Sequence, residues 1–191
     1  VLDPELRETI RALGLEGKSA AQVGCNNARE LLSLASLKVI PSVGIDQSGA
    51  FLEQGRVLAK AAGLEPRLIE ADIYDLPDDV GTFDLVLVTI GVLNWMPDLG
   101  GFFRVIAGLL GPGGHLLVYE THPVMEMFDP ESDTPHEPAI SYFRTDPLKE
   151  EGLISYDGVD HGSGETGYWF IHTLGQIVTS CATAGMTITS L

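Results

Sequence analysis

The chain has 191 residues, 45% of them apolar, with a mean hydropathy of +0.16 and a formal net charge of −16 from 11 Lys and Arg against 27 Asp and Glu. That length and apolar content suit one compact domain and exclude a disordered chain, while the charge disfavours a nucleic-acid partner, whose phosphates most of the surface would repel. Two cysteines far apart, Cys25 and Cys181, form neither a disulfide framework nor a CxxC metal or redox pair, which points to a reducing cytoplasm.

No apolar run reaches the ~18 residues that suggest a membrane span. The opening VLDPELRETI lacks the basic and then apolar order of a secretion signal, and a start at Val1 rather than methionine leaves room for residues upstream. Leu6, Ile10 and Leu13, spaced four and three apart, predict an amphipathic helix over Pro4 to Leu13, ended by Gly14 and Gly17. Ser19 to Val23 reads as a strand and Ala28 to Ser36 as a helix with Leu31, Leu32 and Ala35 inward. Val39 to Ile45 is a second apolar run ending in Asp46; Pro41 predicts that this strand is short or begins after it. Ser48 to Gly63 is helical in pattern with Phe51, Leu52, Leu58 and Ala59 inward. Arg67 to Ala71 is a third strand before Asp72, and Phe83 to Thr89 a fourth, the most continuous apolar run of the chain. A helix over Leu99 to Leu110 is stopped by Gly111-Pro112-Gly113-Gly114, and His115 to Tyr119 forms a fifth strand.

This alternation implies a doubly wound, mainly parallel α/β sheet with right-handed crossovers and helices on both faces. From His122 to Tyr168 the rhythm breaks. The stretch holds five of the eleven prolines and an aromatic scatter of Phe128, Tyr142, Phe143, Tyr156 and Tyr168, which favours an insertion acting as a lid. Thr173 to Ala184 returns to helical spacing through Leu174, Ile177, Val178 and Cys181, and Met186 to Leu191 reads as a final strand.

The stretch KSAAQVGCNNAR, Lys18 to Arg29, is a short apolar run that turns sharply into a helix. Such a turn exposes backbone N–H groups and a positive helix end to an anionic or polar ligand. Gly24, Asn26 and Ala28 hold the small-residue positions of a G-x-G-x-G turn. Asp46 and Asp72 end the next two strands, so all three sites can line one groove at the carboxyl edge of the sheet. Either Asp can instead serve as a helix N-cap, and Cys25 as a small buried filler.

With its neighbours VGCNNA, GID (44–46), EADIYDLP (70–77), FDLVLVTIGVLNWMPD (83–98) and LLGPGGHLLVYE (109–120), this turn resembles the class I S-adenosylmethionine-dependent methyltransferases from about Gly17 to Glu120. The resemblance implies a Rossmann-like methyltransferase fold, S-adenosylmethionine as cofactor and methyl transfer to a small-molecule acceptor. It further implies that Gly24, Cys25 and Asn26 approach the methionine part of the cofactor and that Asp46 accepts from the ribose hydroxyls. Asp72 would accept from the adenine amino group beside the Ile73 N–H, and Thr89, Ile90 and Gly91 would face the methionine portion. The chain departs from the family at Gln22, where an acidic residue is usual, and at Asn26 and Ala28, where glycine is; Asn tolerates the left-handed turn.

Acceptor-side candidates are Asn94, Tyr142, Tyr156, Trp169 and His172, with His172 a possible base because its ordinary pKa lies near neutrality. Packing roles compete for these residues, as one does for Trp95. His122, His136, His161 and His172 match no ligand spacing, so no metal is expected. Two other classes stay open: a nicotinamide-dependent oxidoreductase, opposed by Arg29 where the third glycine of G-x-G-x-x-G belongs, and a non-catalytic cofactor-binding or interaction module.

Overall fold

Strands whose alternate residues face opposite ways need apolar cover on both sides, and here helices supply it. The computed structural model describes residues 2–130, 132–151 and 166–191, so Tyr156 and His161 lie outside the described residues. Among the described residues, β1 (Ser19–Val23), β2 (Ile40–Asp46), β3 (Arg67–Glu70), β4 (Phe83–Val88) and β5 (Leu110–Val118) form one parallel sheet in the order β3-β2-β1-β4-β5. The chain runs outward from β1 to β3 and then crosses to β4, so the carboxyl ends of β1 and β4 diverge at a topological switch point.

Alternate strand residues serve two cores. Val86 and Val88 of β4 join Ala21 and Val23 of β1 under α4 (Leu99–Leu109), where Phe102, Phe103 and Ile106 are fully buried. Leu85 and Leu87 face the other layer, made by α1 (Pro4–Ala12), α2 (Arg29–Ser33) and α3 (Gly49–Ala62), through Leu6, Ile10, Leu31 and Leu52. Side-chain caps set the helix starts: Asp3 accepts from the Glu5 N–H, Ser48 from Phe51 and Asp98 from Gly101.

Five local expectations are corrected. β2 runs through Pro41 rather than starting after it: β3 pairs only from Val43 onward, so the missing proline N–H deprives no ladder on that side, and a register shift against Ala20/Ala21 absorbs the extra residue. The Gly111–Gly114 stretch lies within β5 as a bulge, with Leu110 opposite Phe83 and His115 opposite Leu85. Leu58 is exposed because α3 buries only the narrow stripe Leu52, Gly55 and Ala59, while Phe51 is half-buried. Met186 to Leu191 is not a strand; its Ile and Thr residues suit one, but no strand among the described residues pairs with it. The predicted helix after the glycine turn is α2 followed by a 3-10 helix over Leu34–Leu37.

The segment after β5 contains a 3-10 helix, Pro123–Met127, and an antiparallel pair, β6 (Leu148–Glu151) with β7 (Thr166–Trp169). It returns to the sheet at another 3-10 helix, Leu93–Trp95, which follows β4. Asn94 holds both polar groups of one residue, accepting the Phe170 N–H on its backbone carbonyl at 2.7 Å and donating its amide to the Phe170 carbonyl at 3.0 Å. His172 donates from Nε2 to the Met96 carbonyl at 2.8 Å. Tyr142 then accepts the Leu174 N–H on its hydroxyl at 2.9 Å, at the start of α5 (Leu174–Thr183), which Thr173 and Gln176 close with a capping box.

Two stability measurements follow. Lys38, exposed at the end of the Leu34–Leu37 helix, has φ 59°; its side chain makes a surface ion pair to Glu16, and its backbone bonds to Ala35 and Gly17 do not need that side chain. Lys38→Gly relieves a left-handed side-chain clash and is expected to raise unfolding stability by about 0.5–1 kcal/mol in urea titrations. Burial holds the His172 pKa below its ordinary 6.5, against the opposite pull of the Met96 and Leu93 carbonyls. The folded state therefore takes up this proton less readily than the unfolded chain, so the contribution is intact above the ordinary pKa and is lost as pH falls from about 6.5 through the depressed value. The urea midpoint should drop between about pH 7 and about pH 5.5, and drop less in His172→Gln, which keeps a donor for Met96. Equal drops in the two proteins would remove His172 as the source.

Candidate functional site

A cleft of about 1420 Å³ opens at the carboxyl ends of β1, β2, β3 and β4. Its floor is the turn after β1. Gly24, Asn26 and Ala28 all have left-handed backbone, at φ 63°, 50° and 58°, so every position that a family pattern would give to glycine does adopt the glycine conformation. Asn26 eases its own strain by accepting the Asn27 N–H on its side-chain oxygen at 2.7 Å. Gly24 has no substitute: a Cβ there would run into the Val92 side chain.

Gln22 explains how the turn is braced without an acid. Its side chain is fully buried; Oε1 accepts the Leu31 N–H at 2.9 Å and Nε2 donates to Thr89 Oγ1 at 3.0 Å. Leu31 is in the first turn of α2, and Ala28, at its N-cap, offers no side-chain acceptor. An amide from the preceding strand thus satisfies one of the N–H groups a helix start leaves over. An ionised carboxylate would only accept, whereas the amide donates to Thr89 and leaves the threonine its own hydrogen to give.

Asp46 bridges the next two elements. One oxygen accepts the Asn26 N–H at 2.7 Å and the other the Ser48 N–H at 2.9 Å. Ser48, not Asp46, is the N-cap of α3. Asp72 is exposed, accepts the Tyr74 N–H at 2.9 Å, and is followed by no helix, so it caps none. Tyr74 in turn accepts the Asp98 N–H and donates to the Asp98 carbonyl, pinning the loop after β3 to the start of α4.

The wall after β4 hangs on a residue that the motif reading passed over. Glu120, just beyond β5, accepts the Gly91 N–H at 2.6 Å and the Thr121 N–H at 3.0 Å on one oxygen, and the Leu93 N–H at 3.3 Å on the other. Burial, the largest influence, pushes its carboxyl above the ordinary range; the three N–H donors pull it down and Glu126 pushes it up again. Its position just past the carboxyl end of β5, the strand beside β4, was the signal that sequence reading left unused. Cys25 is fully buried and burial drives its thiol strongly upward, which keeps it neutral and inert.

The structure brings Gly24, Cys25, Asn26, Asp46, Asp72, Ile73, Thr89, Ile90 and Gly91 to the lining of this one cleft, with Phe51 and Trp169. Asn94, Tyr142 and His172 are not on that lining; their polar groups hold the backbone of Phe170, Leu174 and Met96. Among the described residues no three His, Cys, Asp or Glu side chains converge to ligate a metal, and no helix is long and apolar enough to cross a membrane.

Comparison with known proteins agrees with this geometry. The demethylmenaquinone methyltransferase of Thermus thermophilus is 40% identical over 84 residues, 42% of this chain and 36% of that protein. The Bacillus subtilis demethylmenaquinone methyltransferase is 30% identical over 118 residues, 60% of this chain and 50% of that protein. The chain thus spans half or less of the length of these curated relatives. The fold is shared with an S-adenosylmethionine-dependent methyltransferase from Clostridium acetobutylicum, at 16% identity and a TM-score of 0.71 over 99% of this chain and 83% of that one. It is shared also with one from Mesorhizobium loti, at 19% identity and 0.66 over 96% and 81%. The family described as methyltransferase domain matches residues 21–118, half of the chain. The chain belongs to that methyltransferase family.

Proposed function

We propose that this chain is an S-adenosylmethionine-dependent methyltransferase that moves a methyl group to a nucleophilic atom of a small-molecule acceptor. The observation that carries this reading is the convergence of the left-handed Gly24–Ala28 turn with two strand-end carboxylates, Asp46 and Asp72, on a single cleft. The family match and the two demethylmenaquinone methyltransferases support it.

The residues fit the cofactor chemically. Each Asp46 oxygen takes one backbone N–H and keeps a further lone pair for a ribose hydroxyl. Asp72 and the Ile73 backbone are assigned to the adenine edge, with the apolar side chains of Ile73 and Phe51 beside the base. Gly24, Cys25 and Asn26 on one side, and Thr89, Ile90 and Gly91 on the other, are assigned to the methionine portion. A side chain at Gly24 would fill the cradle from the Val92 side.

When bound, S-adenosylmethionine supplies a methyl already activated on a sulfonium, so the chain's own contribution is alignment and exclusion of water. Gln22 and Glu120 hold the two walls rigid from behind. We assign His172 to docking rather than to proton removal, since its Nε2 is spent on Met96; no general base is assigned. The net charge of −16 favours a small molecule over nucleic acid. The free thiols of Cys25 and Cys181 suit a cytoplasmic setting. We treat residues 1–191 as one methyltransferase-like unit with 122–168 as its insertion.

Calorimetric titration with S-adenosylmethionine, S-adenosylhomocysteine and NAD tests the reading: uptake of NAD and of neither sulfur nucleoside would overturn it in favour of an oxidoreductase. Sulfur-nucleoside binding without methyl transfer to any acceptor in a broad screen would make the chain a binding module. Asp46→Ala should weaken S-adenosylmethionine binding by about 1.5–3 kcal/mol, the range for hydrogen bonds to a charged group. Unchanged affinity would confine Asp46 to its Asn26 and Ser48 bonds.

A further inference from the structure

Beyond Gly91 the cleft is closed by the indole of Trp169, whose Cη2 lies 3.9 Å from where a Cβ on Gly91 would stand. Three contacts fix this ring. Its Nε1–H donates to Glu126 on the Pro123–Met127 helix at 2.8 Å. Trp95 meets it edge to face, with centroids 5.4 Å apart and planes at 84°. The next residue, Phe170, is clamped through both backbone groups by Asn94. The indole has one polar atom, and Glu126 occupies it, so what the ring has left to offer the cleft is aromatic carbon. Ile90, 62% exposed, and Tyr119 line the same cleft with further apolar area. Glu126 and Trp169 both lie outside residues 21–118, the part shared with the family, where a feature particular to this chain's acceptor belongs.

We propose that the cleft takes a planar, conjugated methyl acceptor against Trp169 at its Gly91 end, and that Glu126 is the positioning residue that fixes the indole for it. The inference rests on the methyltransferase reading above and adds the acceptor class. A flat conjugated ring gains offset or edge-to-face attraction on an immobilised indole that a saturated ring of equal size does not. If the indole is free to turn, part of that gain is lost to ordering it.

The test uses the full chain saturated with S-adenosylhomocysteine and titrated by calorimetry with 2-naphthol and with decahydro-2-naphthol. The wild type should bind the planar probe about 3–10-fold more tightly than the saturated one. Glu126→Gln should keep that preference, because an amide oxygen still accepts the indole N–H. Glu126→Ala should lose most of it, and so should Trp169→Phe, which retains a ring but not the N–H. A wild type that does not discriminate between the probes overturns the acceptor class. Full discrimination in Glu126→Ala overturns the role of Glu126, and full discrimination in Trp169→Phe overturns the indole as the seat of the preference. Failure of the wild type to take up S-adenosylhomocysteine is the failure of the underlying reading, seen before either naphthol is added.

Discussion

The hydrogen bond from the Asn26 N–H to Asp46, 2.7 Å long, joins the ends of β1 and β2, two of the four strands at whose carboxyl ends the cleft opens. It holds the amide of a residue in the left-handed region, and it places a carboxylate at the mouth of the sheet with lone pairs to spare. Behind it, Gln22 fastens the same turn to α2 and to Thr89. Remove either side chain and the turn keeps its sequence but loses the scaffold that holds its amides in place. The close approach has a steric side as well: a Cβ on Gly55 of α3 would come within 3.2 Å of the Asn27 carbonyl, tighter than an ordinary contact, so glycine there eases the fit of helix against turn.

Charge is distributed with the same economy. A chain with net −16 places carboxylates where backbone N–H groups converge, at Asp46 between two strand ends and at Glu120 beneath the Gly91 loop. These acids act as acceptors for the backbone, and their partners are the amides left over where strands end. A neutral amide at Gln22 is the complement. Fully buried, it avoids the desolvation that an ionised group would suffer there.

Much of the fold was legible because buried parallel strands are continuous apolar runs. Ser19–Val23 appeared with its observed bounds, and Phe83–Val88 within one residue. The misreadings share a cause: local rules assume neighbours. Pro41 was expected to exclude itself from β2, but the strand beside it is too short to need its N–H. Leu58 fits a helical period, yet it falls outside the stripe of Leu52, Gly55 and Ala59 that α3 buries. Met186 to Leu191 has strand residues, and no strand among the described residues pairs with it. For the candidate site, the residues on the carboxyl ends of strands were readable from motif order, and all of them line the cleft. Gln22 was visible only as a departure, since its two partners, Leu31 and Thr89, lie nine and 67 residues away. Asn94, Tyr142 and His172 were picked for their chemistry alone, and the roles they play depend on where the chain returns after residue 165, which spacing does not encode.

The edge-to-face pair of Trp95 and Trp169 has a practical consequence. The chain contains two tryptophans, and both stand on the wall of the cleft. Ultraviolet emission excited at the red edge of the spectrum therefore comes from this one place, with no indole elsewhere to dilute it. The protein carries a built-in optical gauge of its own site, sensitive to whatever enters beside Gly91 and needing neither a dye nor a mutation.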